Sequence, residues 1–142
     1  MIRMPKRLVI AVVLIAVWLI PLVGGSSPSS SLDGTQWKLI GWALSSLKPA
    51  DFTITAKFAD GHISGHSAVN TYSGPCKLDL KGSFSAGALV GTQMAGPEPA
   101  MRAETAYLTL LGQAKSYKVV DGKLKLYDKG GNESLIFEAA RK

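Results

Sequence analysis

From residue 52 the chain alternates, with Phe52, Ile54, Ala56 and Phe58 separated by Thr53, Thr55 and Lys57. A period of two is what a half-buried strand requires. Asp60 and Gly61 follow, a pair that tolerates the positive φ values of a type I′ turn. That turn sets Phe58 opposite Ile63 and Lys57 opposite Ser64. A second such turn at Asp121 and Gly122 pairs Val119 with Leu124 and Tyr117 with Leu126, leaving Lys118, Lys123 and Lys125 on the other face. Further strands are predicted over residues 36–42, 77–80, 88–91 and 134–138, with Leu78 and Leu80 inward.

One segment changes period. Ala100, Ala103, Tyr107, Leu110, Leu111 and Ala114 recur every three or four residues, which predicts an amphipathic helix over about residues 98–115. Pro97 or Pro99 suits its first turn, Glu98 its positive end and Lys115 its negative end. Gly112 implies close packing or fraying of the last turn. The expected class is α+β: a mainly antiparallel, barrel- or sandwich-like sheet with one helix.

The first 31 residues obey neither pattern. Arg3, Lys6 and Arg7 precede an apolar run over residues 8–23 broken only by Pro21. Sixteen residues exceed an ordinary signal core and fall short of the ~20 that span a bilayer, so residues 1–25 read as a signal peptide or a signal anchor. Val23 and Gly25 are small enough for a leader-peptidase site and favour cleavage before Ser26; Trp18 at a membrane interface would fit the anchor. No cysteine lies nearby to carry a lipid. Residues 26–31, SSPSSS, read as a flexible linker, and the domain occupies 32–142.

At 142 residues and 46% apolar content the chain suffices for one domain. Its net charge of +6 overstates the domain, because three of the 16 basic residues precede Ser26, leaving 13 against 10 acids, or +3. That balance lacks the clustered charge of nucleic-acid binding.

Candidate chemistry is sparse. His62 and His66 have the spacing that chelates zinc from a helix, but this segment reads as a strand, where four residues span about 13 Å, and Lys57 shares their face. A hydrolase or metal-dependent enzyme using His62 or His66 is the alternative reading. His66 beside Ser67 does not make a catalytic pair, since neighbouring strand residues face opposite sides. No nucleophile elbow, phosphate loop or dinucleotide motif occurs, and no cofactor is implied. Glu98 and Glu104 read as helix capping and surface solubility. Cys76, without an intrachain partner, reads either as a small buried hydrophobe in a monomer, the reading preferred here, or as an exposed thiol able to join two chains.

Binding candidates are the lysine stripe and the loop around Asn70. Lys118, Lys123 and Lys125 line one face with Lys118 directly opposite Lys125, a pairing that suggests protection of an exposed sheet or contact with an anionic membrane surface or envelope partner. Asn70 and Tyr72 read either as a turn residue and a core-edge aromatic or as a recognition loop.

The order and spacing of Leu32, Gly34, Thr35 and Trp37, then Gly65, Asn70, Tyr72, Ser73 and Gly74, then Thr92, Met94, Ala95, Pro97, Met101 and Glu104, and finally Leu124, Leu126, Leu135 and Phe137, resembles the META domain family, which includes heat shock protein HslJ-like envelope proteins. The resemblance covers nearly the whole domain. It implies a compact antiparallel fold with one helix, an exported or lipid-anchored protein without established catalysis, and roles in the envelope or in stress. It also implies a cysteine pair in many members, at positions that here are Val69 and Gly96, so no disulfide is expected.

Overall fold

A computed structural model describes residues 32–43 and 45–141. The signal or anchor segment and the linker, residues 1–31, lie outside the described residues. The chain orders its elements as β1 (Gln36–Trp42), a 3-10 turn (Pro49–Asp51), β2 (Thr55–Ala59), β3 (His62–His66), β4 (Thr71–Leu78), β5 (Phe84–Ala86), β6 (Val90–Gly91), α1 (Glu98–Gln113), β7 (Ser116–Val120), β8 (Lys123–Tyr127) and β9 (Glu133–Ala139).

The sheet runs β5-β4-β3-β2-β1-β9-β8-β7 with β6 added on β4, and the pairings are antiparallel. Its two ends meet. Ser83 bridges Ser116, the Phe84 N–H donates to the Lys115 carbonyl at 2.9 Å, and the Tyr117 N–H donates to the Gly82 carbonyl at 2.8 Å. The result is a nearly closed barrel, the α+β architecture that the sequence predicts.

Both predicted hairpins form in the expected register, Phe58 with Ile63, Lys57 with Ser64, Val119 with Leu124 and Tyr117 with Leu126. Asp60, Gly61, Asp121 and Gly122 all take positive φ, between 52° and 75°, as a type I′ turn demands. Inward positions of the strands supply Leu39, Ile54, Phe58, Ile63, Phe84, Leu124, Leu126, Leu135 and Phe137 to one core. α1 closes the barrel at the end away from the Asp60–Gly61 turn, burying Ala103, Tyr107, Leu110 and Leu111. Pro97 caps α1 and Pro99 lies in its first turn, where missing N–H groups cost nothing.

Three expectations need correction. The segment 77–80 is the tail of a longer strand, β4, which ends at Leu78; Asp79 then accepts bonds from the Lys81 and Ser83 N–H groups and turns the chain, leaving Leu80 67% exposed rather than inward. Gly74 and Pro75 hide β4 in the sequence. The Cys76 N–H points to β3, donating to the Gly61 carbonyl, so the Pro75 nitrogen faces the gap between β5 and β6, where no ladder donor is needed. Lys115 does not lie in the last turn of α1, and of the two readings of Gly112 close packing falls, because a Cβ there would touch nothing within 4 Å.

Candidate functional site

The polar interior of the protein gathers where α1 meets the loop between β3 and β4. Glu104 sits on the same helix face as Ala103 and Tyr107 and is only 9% exposed. A carboxylate there must be satisfied by the protein. The Ser67 hydroxyl and the Asn70 backbone N–H donate to Oε1, the latter at 2.9 Å, and the Asn70 side-chain amide donates to Oε2 at 2.9 Å. Asn70 also reaches the segment that enters α1. Its amide nitrogen donates to the Met94 carbonyl at 3.2 Å, while its Oδ1 accepts from the Thr92 hydroxyl at 2.9 Å and the Met94 N–H at 2.7 Å.

Burial alone would push the Glu104 carboxyl up, but the hydrogen bonds from Ser67, Asn70 and the Val69 backbone outweigh it and hold the group below its ordinary range. Glu104 is therefore a buried anion fixed by neutral donors. This corrects its reading as a surface capping residue. The signal was present: an acid within the apolar stripe of an amphipathic helix has no water to face. Ser67, fully buried, was equally hidden by its place beside His66.

The loop that presents Asn70 is itself constrained. Ala68 adopts φ 82°, a left-handed conformation costly for a residue with a Cβ, and its N–H donates to the Thr53 carbonyl at 3.0 Å. Val69 packs beside Gly96, its methyl carbons 2.9 and 3.0 Å from where a Cβ on Gly96 would stand. The two positions that the family resemblance singles out for a cysteine pair are thus spatial neighbours, joined here by packing.

Tyr72 extends the cluster inward. Its hydroxyl donates to the Thr55 carbonyl at 2.8 Å, so the 2.6 Å contact with the Tyr107 hydroxyl must have Tyr107 as donor. The rings meet edge to face at 5.5 Å. Burial pushes both phenols well above their usual range. Asn70 and Tyr72, candidates for a recognition loop, are buried with their polar atoms engaged inside the protein. A cavity of about 170 Å³ beside them, touched by Leu89 and Leu108, is smaller than the ~300 Å³ at which ligand pockets begin.

The other candidates lie outside the core. His62 and His66 stand exposed at opposite ends of β3, His62 with Nδ1 3.1 Å from the Asp60 carbonyl and His66 facing away from Ser67. Among the described residues no group of three or more His, Cys, Asp or Glu side chains is placed to hold a metal. Cys76 is buried as expected, and desolvation pushes its thiol up to about 11. Lys118 does lie opposite Lys125, and each is answered locally: Lys125 pairs with Glu133 at 3.2 Å, and Lys118 sits 5.6 Å above the Tyr127 ring. Lys123 lies in register with Glu138.

Three solved structures share this architecture. A protein from Burkholderia xenovorans solved by NMR is 26% identical with a TM-score of 0.67, over 86% of this chain and 97% of its own. A second NMR structure is 18% identical with a TM-score of 0.58, over 75% and 90%. The crystal structure of a DUF4847 family protein from Bacteroides vulgatus is 14% identical with a TM-score of 0.57, over 79% and 96%. A search of curated proteins finds no match. The META domain model matches residues 30–141, so the chain belongs to the META domain family.

Proposed function

We propose that this META domain is a noncatalytic, extracytoplasmic module of the cell envelope, HslJ-like in its association with envelope or stress functions, that binds or assembles with another envelope component. The observation that carries the reading is the Ser67, Asn70 and Glu104 cluster. Its donors and acceptors are spent on one another and on Thr92 and Met94. Among the described residues no buried side-chain nitrogen or oxygen lacks a partner. A catalytic site keeps groups in reserve for substrate, whereas this one fixes a helix to a barrel. The basic start, apolar run and serine-rich linker of the first 31 residues support export or anchoring on the outer side of the cytoplasmic membrane.

The test has two arms. Intact mass of the exported protein distinguishes a mature species starting at Ser26 from a chain anchored through residues 8–23. Joint substitution His62→Ala and His66→Ala leaves fold and envelope phenotype unchanged under this reading; selective loss of function with the fold intact would transfer the role to an enzyme built on those histidines.

A further inference from the structure

Strand directions place four features at one end of the barrel. The chain enters the domain there, because the Asp60 N–H donates to Asp33 at 2.9 Å and the Gly34 N–H to the Phe58 carbonyl at 2.7 Å. The Asp60–Gly61 turn, the turn over residues 79–82 and the Asp121–Gly122 turn lie at the same end. α1 and the Asn70 loop occupy the other end.

The entry end also carries exposed aliphatic side chains. Leu80 is 67%, Val119 46% and Val120 43% exposed. The Tyr117 hydroxyl holds the turn over residues 79–82 in place by donating to the Asp79 carbonyl at 2.8 Å. β7 thus runs along the turn before β5, where the Tyr117 N–H also donates to the Gly82 carbonyl at 2.8 Å, and its hairpin carries Val119 and Val120 to the same end as Leu80. Exposed Lys81, Lys118 and Lys123 flank them, and Lys77 lies nearby on β4. Four exposed acids share this end, Asp33, Asp60, Asp79 and Asp121, and the backbone N–H bonds to Asp33 and Asp79 leave their charge in place, so the lysines outnumber the acids only locally, where Lys77, Lys81, Lys118 and Lys123 stand against Asp79 and Asp121.

We propose that this rim, Leu80, Val119 and Val120 with Lys81, Lys118 and Lys123, docks the barrel onto an anionic lipid bilayer surface. The inference rests on the extracytoplasmic reading above and names the partner. Aliphatic groups projecting from a rim enter the headgroup boundary, while lysines bury their stems and keep their ammonium groups among anionic headgroups. The chain outside the structure points the same way. Residues 24–31 reach at most ~28 Å when extended, so an apolar run held in a membrane keeps this end of the barrel within that distance of the lipid.

The full chain is reconstituted into vesicles of phosphatidylcholine with phosphatidylglycerol, carrying an environment-sensitive fluorophore at Leu80→Cys, Val119→Cys or, at the opposite end, Met94→Cys. The unsubstituted chain controls for labelling of buried Cys76, and circular dichroism confirms folding. Strand length separates the two ends by about 20 Å, so nitroxide lipids quench positions 80 and 119 about threefold or more over position 94. Joint Lys81→Glu, Lys118→Glu and Lys123→Glu substitution removes most of that difference. Equal quenching at all three positions, stronger quenching at 94, or self-association without quenching overturns the proposal; equal quenching on phosphatidylcholine alone overturns its anionic part. Because the measurement is independent of compartment, rim quenching by a chain that cells retain in the cytoplasm would refute the extracytoplasmic reading alone, and absent quenching by an exported chain the rim alone.

Discussion

The Tyr107 hydroxyl donates to the Tyr72 hydroxyl at 2.6 Å, and Tyr72 passes the polarity on to the Thr55 carbonyl at 2.8 Å, a relay that joins α1, β4 and β2 across the core. The order of donation predicts unequal mutants. Tyr107→Phe removes one donor while Tyr72 keeps its bond to Thr55, a loss of about 1 kcal/mol. Tyr72→Phe strands both the Thr55 carbonyl and the Tyr107 hydroxyl and costs about 2 kcal/mol or more. Urea denaturation of the two variants decides; equal losses would mean that the direction of the relay is wrong.

Glu104 is the second junction. In Glu104→Gln the shape is kept, but one acceptor becomes an NH2 group facing donors from Ser67 or Asn70. The expected loss is about 2–4 kcal/mol, well above that of a surface acid. Glu98→Gln, on the exposed first turn of the same helix, changes stability by less than about 1 kcal/mol. Thermal or urea unfolding of the pair measures the contrast.

The same carboxyl makes stability depend on acid. Its folded-state value lies below the ordinary one, so the unfolded chain binds more protons as pH falls, and stability present above about pH 4.5 is lost below it. Asp79 and Asp128, held low by backbone bonds within their turns, add to the same slope from exposed positions. Denaturation midpoints taken at neutral pH and at about pH 3.5 should fall steeply for the natural chain and less steeply for Glu104→Gln. An unchanged slope in the variant would assign the acid sensitivity to the turns.

At the alkaline limit the sign reverses. The folded-state values of Tyr72 and Tyr107 are raised, so above about pH 10 the unfolded chain loses protons that the folded one retains, and stability declines. Tyrosinate absorbance followed beside circular dichroism should show these two phenols ionising only within the unfolding transition. Ionisation of all four tyrosines before unfolding would contradict the relay.

How far the sequence carried depended on where the physics was local. Both hairpins were legible because an Asp-Gly pair fixes turn type, turn type fixes register, and apolar alternation on either side agrees with that register. α1 was legible from its stripe. β4 was not, since a glycine and a proline at its centre are tolerated only because of the gap between β5 and β6, a property of three strands and not of one. The Glu104 cluster was half legible. Glu104 and Asn70 both stood out, but their meeting depends on a contact 34 residues apart in the chain.

Two glycines separate positions set by crowding from positions set by chance. Gly65 lies opposite Tyr72, and a Cβ there would overlap the Thr55 carbonyl that receives the Tyr72 hydroxyl. Gly65→Ala must displace backbone from the relay and costs about 2 kcal/mol or more. Gly112, near the end of α1, has open space around its would-be Cβ and no positive φ, so Gly112→Ala gains about 0.5–1 kcal/mol from helix propensity and a less flexible unfolded chain. Opposite shifts in melting temperature are expected from one chemical change, and a stable Gly65→Ala protein would mean that β2 and β3 part more easily than the Tyr72 bond allows.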